Sequence, residues 1–351
     1  MECRTLTCAP TNTAVLQVTK RLVKNVIDSA EYHTYGLGDI VLYGNQKRMK
    51  IEDYDDLDKV FLDHRADILA KCFDPKSGWK DTRLALISLL KEPEKLYGLY
   101  LKKMNGEDFE RNNNNNSAEK SYVNFENEVI KRNAEKGNDS DKIFKDKKSK
   151  KDGRQVIFEI LKENKNKNRH KGMLHLQKEK KSKQEEEHDG NDRKEKEREV
   201  EKVNDNPLTF GEFVKKRFDC FGEWLHFLIV NLCTHLPTSI ISLEVVKNMF
   251  AAVDSLKSFQ RLLHGVANED LKEAYSRGSH FTNFNVAKVN SLFILESLPS
   301  KFPVPCTRDR RLIREFCLKK ACLILCTTSG SAKLEIIDRF LHFTTLYVCV
   351  C

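Results

Sequence analysis

Between Asp141 and Asp205, 37 of the 65 residues are charged, of both signs, and apolar periodicity survives only around Val156 to Leu161. Such a segment cannot bury enough surface to offset the entropy lost on ordering. With the asparagine run Asn112–Asn116 ahead of it, the stretch 105–206 is expected to be a disordered, solvated, low-complexity insertion. Its lysine clusters, Lys147–Lys151 and Lys178–Lys183, could act as nuclear-import or nucleic-acid patches, although a solvated insertion is the simpler role. Ordered structure is left to 1–104 and to the chain from Pro207 onward.

The first flank opens on Thr5-Leu6-Thr7-Cys8, a β-branched and apolar run that reads as a buried strand. Pro10 then forbids a further ladder bond, and Thr11 can cap a helix with the apolar stripe Ala14, Val15, Val18, Leu22, Val26 and Ile27. Lys20, Arg21 and Lys24 flank that stripe. A strand, a tight turn and a helix N-terminus present free N–H groups at the carboxyl end of a strand, where open α/β sheets bind phosphate. An ordinary buried strand followed by a capped helix has the same pattern. Far along the chain, Leu312–Lys319 reads as a short amphipathic helix behind the basic cluster Arg308, Arg310, Arg311 and Arg314. Ala321–Cys326 then reads as a buried strand ending in the small polar loop Thr327-Thr328-Ser329-Gly330-Ser331-Ala332.

Between these ends, Tyr35–Asn45 is an apolar run punctuated by glycines, read as one or two short strands in a small barrel or a sheet insertion. Gly36-x-Gly38 lacks a third glycine and precedes its strand, so it is no dinucleotide fingerprint. From Tyr54 to Met104 the stripes Leu57, Val60, Phe61, Ile68, Leu69 and Leu84, Leu86, Ile87, Leu89, Leu90 predict helices, broken at Pro75, Gly78 and Pro93. Thr209-Phe210-Gly211-Glu212 is a capping box, followed by Phe213, Phe218, Phe221, Leu225, Leu228 and Leu232 at helical steps. After Pro237, Ser242 can cap a second long helix, and the two should pack on each other or on the helices of 54–104. The segment 268–290 is poorly patterned, and Val289–Leu298 reads as a strand.

The net charge of +9 favours a polyanionic partner, although the lysine-rich insertion alone gives the same sum. Eleven cysteines, an odd number, suggest neither a disulfide framework nor a disulfide-linked partner. The first twenty residues lack a basic segment followed by an apolar one. A nuclear or cytoplasmic location is therefore expected, the nucleus favoured. Leu225–Leu243 contains His226, Asn231, His235 and Pro237, so no membrane span is expected. The sets Cys317, Cys322, Cys326 and Cys220, His226, Cys233, His235 read as buried thiols and core histidines before metal ligands, and Cys349 and Cys351 suit neither chelation nor a disulfide.

The two strand–turn segments also carry a resemblance. Cys8-Ala9-Pro10-Thr11-Asn12-Thr13-Ala14-Val15 resembles motif Ia of superfamily-1 helicases of the senataxin-like and nonsense-decay-type group. Ala321 to Cys326 with Thr327-Thr328-Ser329-Gly330-Ser331-Ala332 is similar to the Thr/Ser strand–loop that this family places after its insertions. The resemblance covers about 1–105 and 205–335. It implies an α/β fold, a partial RecA-like P-loop NTPase domain with an inserted small β element, a helical stalk and the disordered charged insertion. The implied division is 1–34, partial core with motif Ia; 35–53, barrel-like short strands; 54–104, first stalk part; 105–206, insertion; 207–266, helical hairpin of the stalk; and 267–351, return to the core with the Thr/Ser loop and a truncated tail.

In function, the resemblance implies part of an ATP-dependent RNA/DNA helicase. Pro10, Thr11, Asn12, Thr327, Thr328 and Ser329 would hold the backbone of single-stranded RNA or DNA, weakly in isolation. The family's Gly-Lys-Thr loop and Asp-Glu-Ala strand, which hold ATP and Mg²⁺, are not found in this sequence, and Phe343–Cys351 is an apolar tail. No catalytic residue, no cofactor and no ATP hydrolysis are therefore expected of this chain alone, which looks like an internal fragment. The alternatives are a non-catalytic nucleic-acid-binding or interaction module, or a non-functional truncated product of poor solubility.

Overall fold

The computed structural model describes residues 4–32, 34–54, 56–105, 207–276 and 282–337. The expected insertion with its lysine clusters, and the apolar tail Phe343–Cys351, lie outside these residues. Three strands, β1 (Thr5–Ala9), β2 (Ile40–Leu42) and β3 (Leu323–Thr327), make a parallel sheet in the order β1-β3-β2. Because successive side chains on a strand point to opposite faces, the sheet separates two cores. Leu6, Cys8, Val41, Ile324 and Cys326 face the larger one, while Ala9, Ile40, Leu42 and Leu325 face the smaller. The smaller core is closed by α1 (Asn12–Ser29) through Val15, Leu16 and Val23, and by α3 (Leu57–Val60), with α2 (Gln46–Met49) between them in the chain.

The larger core is helical. It contains α4 (Leu62–Cys72), α5 (Trp79–Lys91), α6 (Pro93–Met104), α7 (Phe210–His235), α8 (Leu243–Gly265), α9 (Leu271–Tyr275), α10 (Thr282–Ser297) and α11 (Arg310–Lys320), with α12 (Thr328–Ile337) following β3. The capping box that opens α7 is present in full, and Ser242 Oγ accepts from Val245 N at the start of α8. Phe213, Phe218, Phe221, Leu225, Leu228 and Leu232 of α7 are all buried. They let one helix pack on α4, α5 and α6 and also on α8. The described chain is thus mostly helical with one small parallel sheet.

Of the one or two short strands expected in Tyr35–Asn45 the structure shows one, β2, and three expectations are corrected. β2 pairs with β3 in the main sheet, so the barrel-like alternative does not hold. Gly36, at φ 95°, takes the left-handed turn that leads through Leu37–Asp39 into β2. Val289–Leu298 is not a strand; all but its last residue lies in α10, where Phe284, Ser291 and Leu295 are buried and Ser291 Oγ stands 3.0 Å from Ser255 Oγ of α8. A short apolar run of this kind fits either period, and packing on α8 decides it. The small polar loop after β3 is instead the start of α12, at Thr328.

A dense seam joins the turn before β2 to the end of α7. Asp39 accepts from Thr238 N (2.9 Å) and Thr238 Oγ1 (2.7 Å), and Tyr35 donates to Ile241 O (3.1 Å). Arg65 of α4, 1% exposed, donates to Gly38 O (3.0 Å), Leu37 O (2.8 Å), Ile40 O (2.6 Å) and Lys59 O (3.3 Å). Three arginines of the basic cluster are engaged within the fold. Arg308 pairs with Asp74 (2.6 Å), Arg310 with Asp67 (2.9 Å) and Arg314 with Asp63. These pairs fasten the segment entering α11 to α4 and the turn after it.

His235, at the end of α7, is buried with Nδ1 3.1 Å from Lys59 O. Burial first, then the charge of Arg65, hold its pKa well below the ordinary 6.5. The folded state therefore binds a proton less readily than the unfolded one, so stability present above pH 6.5 is lost as pH falls below it. Between pH 7.5 and 5.5 this group is expected to remove up to about 1.4 kcal/mol. Urea titrations at the two pH values, compared with His235→Gln, check it: the variant should lose less stability than the wild type over that interval, and equal losses would refute the assignment.

Candidate functional site

The last residue of β1, Ala9, is the register partner of the last residue of β3, Thr327. The turns that follow therefore leave the sheet side by side at its carboxyl edge, although they lie more than 300 residues apart in the chain. Thr328 Oγ1 donates to Ala9 O (3.3 Å) and ties one turn to the other. In the first turn Thr11 Oγ1 accepts from Ala14 N (3.2 Å), the cap expected from sequence. In the second, Thr327 Oγ1 accepts from Gly330 N (3.2 Å) and stands 3.2 Å from Ser329 Oγ, while Ser331 Oγ donates to Thr328 O (2.8 Å). Pro10, Thr11, Thr328 and Ser329 are exposed, and Asn12 and Thr327 half-buried. All six expected site residues are brought to one edge.

Both turns start helices, α1 of 18 residues and α12 of 10, so two sets of first-turn N–H groups open at the same edge. A third segment joins them. Tyr43 N donates to Leu325 O (2.8 Å) and carries β2 into Gly44-Asn45. Asn45 Oδ1 accepts from Arg48 N (3.0 Å), and Asn12 Nδ2 donates to Arg48 O (3.4 Å), which fixes α2 beside the start of α1. Lys47 and Arg48 are exposed and form no ion pair among the described residues.

The segments 10–13, 43–50 and 327–333 contain no Asp, Glu or His, and they contain Lys47, Arg48, Lys50 and Lys333. Such an edge offers N–H donors, hydroxyls and cations to an anion. The hydroxyls of Thr11 and Thr327 are engaged as acceptors from backbone N–H groups, so they shape the turns as well as lining them. Lys47 and Arg48 are not marked by sequence as part of this edge, because the glycine-punctuated run before them fits a small barrel or a sheet insertion as well as a strand of the main sheet. The signal available was the turn Gly44-Asn45 followed by a basic pair directly after an apolar strand.

The cysteine and histidine sets do not converge. Among the described residues no three His, Cys, Asp or Glu side chains stand together so as to hold a metal ion. Burial pushes the thiols of Cys220, Cys233 and Cys317 up to about 11. No helix of the described residues is long and apolar enough to cross a membrane. Comparison with protein families, with curated proteins and with solved structures finds no match to this chain.

Proposed function

We propose that the carboxyl edge of the sheet binds the phosphodiester backbone of single-stranded RNA or DNA, as part of a RecA-like domain of the superfamily-1 helicase type. The observation that supports the reading is the register of Ala9 with Thr327, which joins the two motif-like turns into one polar, cationic edge. Pro10, Thr11, Asn12, Thr327, Thr328 and Ser329 would contact the strand through backbone N–H groups and hydroxyls, and Lys47 and Arg48 would supply charge. Contacts of this kind position a strand without reading its bases. ATP hydrolysis is not assigned to these residues, since ATP and Mg²⁺ would need a Gly-Lys-Thr loop and an Asp-Glu pair that the 351 residues do not contain.

Fluorescence anisotropy with labelled oligo-uridine and oligo-thymidine, titrated against salt, tests this reading. Each phosphate contact to a single strand contributes about 0.7 to the slope of log affinity on log salt. Lys47→Ala with Arg48→Ala is expected to lower that slope by about 1.4 and to weaken binding equally for both oligonucleotides. If removal of 141–205 abolishes binding while the double variant leaves it unchanged, the charged insertion is the binding element and the edge is not.

A further inference from the structure

One residue before the end of each strand, Cys8 and Cys326 are register partners on adjacent strands, and their sulfurs stand 3.6 Å apart with both side chains buried. Neighbouring strands lie about 4.8 Å apart, and a disulfide accepts Cα separations of about 4.4–6.8 Å. The backbone is therefore already at bonding distance. Closing the sulfurs from 3.6 Å to about 2.05 Å also brings the two Cβ atoms to about 3.5–4.5 Å, a small local adjustment of the pair.

Access is the remaining requirement. Cys326 is 0% exposed on the central strand, and Cys8 is 6% exposed on β1, an edge strand among the described strands. Edge strands open at lower free energy than central ones, so Cys8 meets a small reagent first. Burial and the nearness of Cys8 push the Cys326 thiol up, which keeps it protonated at neutral pH and unreactive on its own.

We propose that Cys8 and Cys326 form a modification site at which hydrogen peroxide closes a cross-strand disulfide. The Cys8 thiolate attacks one peroxide oxygen, the O–O bond breaks, and the leaving hydroxide takes a proton to become water. This leaves Cys8 as a sulfenic acid. The Cys326 sulfur then attacks the Cys8 sulfur; the S–O bond breaks, and the departing hydroxide takes the Cys326 proton as a second water. The two thiols lose two electrons and two hydrogens, and peroxide is reduced to two waters. The new bond covalently joins residues 318 apart in sequence and fastens the two turns of the carboxyl edge to one another. The proposal rests on the strand register and the sulfur separation and stands whether or not the edge binds nucleic acid.

The test is peptide mapping of the full chain after peroxide treatment, with remaining thiols alkylated by N-ethylmaleimide under denaturing conditions. The expected product is a linked pair of peptides carrying Cys8 and Cys326, two hydrogens lighter than their sum and separated again by dithiothreitol. The oxidised chain should melt at a higher temperature than the reduced one. Both effects should vanish in Cys8→Ala and in Cys326→Ala, and persist in Cys306→Ala, which removes an exposed thiol. Recovery of Cys8 and Cys326 as alkylated thiols or as sulfinic acids, at a dose that oxidises Cys306, would overturn the proposal. So would a predominant link from either of them to another cysteine. The map of the unmodified sequence decides the matter even if a variant fails to fold.

Discussion

Replacing Arg65 with methionine is expected to destabilise the chain by about 3 kcal/mol. Two effects oppose each other. Methionine keeps much of the aliphatic stem and removes the desolvation cost of a guanidinium that is 1% exposed, which stabilises. It also strips the donors from Gly38 O, Ile40 O, Leu37 O and Lys59 O. Leu37 O still accepts from Ile40 N, and Lys59 O retains His235 Nδ1. Gly38 O and Ile40 O lose the guanidinium donors at 3.0 and 2.6 Å, and an orphaned buried acceptor costs about 1–3 kcal/mol. The second effect wins. Arg65→Lys should fare little better, because an ammonium presents a point charge where a fork spans several carbonyls. Urea midpoints at constant m-value measure both variants. A methionine variant more stable than the wild type would show that desolvation dominates.

Gly38→Ala is expected to cost about 3 kcal/mol through a different cause. A Cβ at this position would overlap the carbonyl of Leu236 and lie 2.7 Å from Pro237 N. These are backbone atoms at the end of α7 and cannot swing aside. Relief requires the turn to lift away, taking with it the Asp39–Thr238 and Tyr35–Ile241 hydrogen bonds. Gly98→Ala in α6 and Gly222→Ala in α7 are the controls, since a Cβ at either meets nothing within 4 Å. They should raise stability by up to about 1 kcal/mol through helix propensity. Thermal melts of the three variants separate these outcomes, and a neutral Gly38→Ala would mean that the seam is loosely held. Because Arg65 donates to Gly38 O, the Arg65 and Gly38 effects should not add.

The helices were legible in the sequence because their signals are local. Thr11, Thr209 and Ser242 each cap the helix that their positions announced. The phenylalanine stripe of α7 lies in the core as its spacing required. Strands β1 and β3 were legible as apolar runs ended by small polar residues, and so were the six residues of the candidate edge. Their adjacency was not. Pairing of Ala9 with Thr327 is a non-local fact, and the placement of β2 beyond β3 likewise depends on a partner hundreds of residues away. Misplacing β2 hid Lys47 and Arg48. The misread strand at Val289–Leu298 has the opposite origin, a run too short for its period to choose between helix and strand. The basic cluster at Arg308–Arg314 shows a further limit, since charge in sequence does not reveal that Asp63, Asp67 and Asp74 already neutralise most of it.

The central position of β3 also sets a timetable for synthesis. β1 and β2 flank β3 and do not pair with each other, so until Leu323–Thr327 has been made β1 has no described strand partner and β2 only the single bridge of Leu42 to Phe61. At about 5–20 residues per second, β1 waits roughly 15–60 s on the ribosome with its backbone unpaired. The hydrogen bonds of α4 to α6 are internal to each helix and can form during that interval, but the packing of these helices waits for α7 and α11. The sheet therefore closes only after the helical core that precedes β3 in the chain has been made, and nascent chains stalled before β3 are the species on which chaperones would be expected to act.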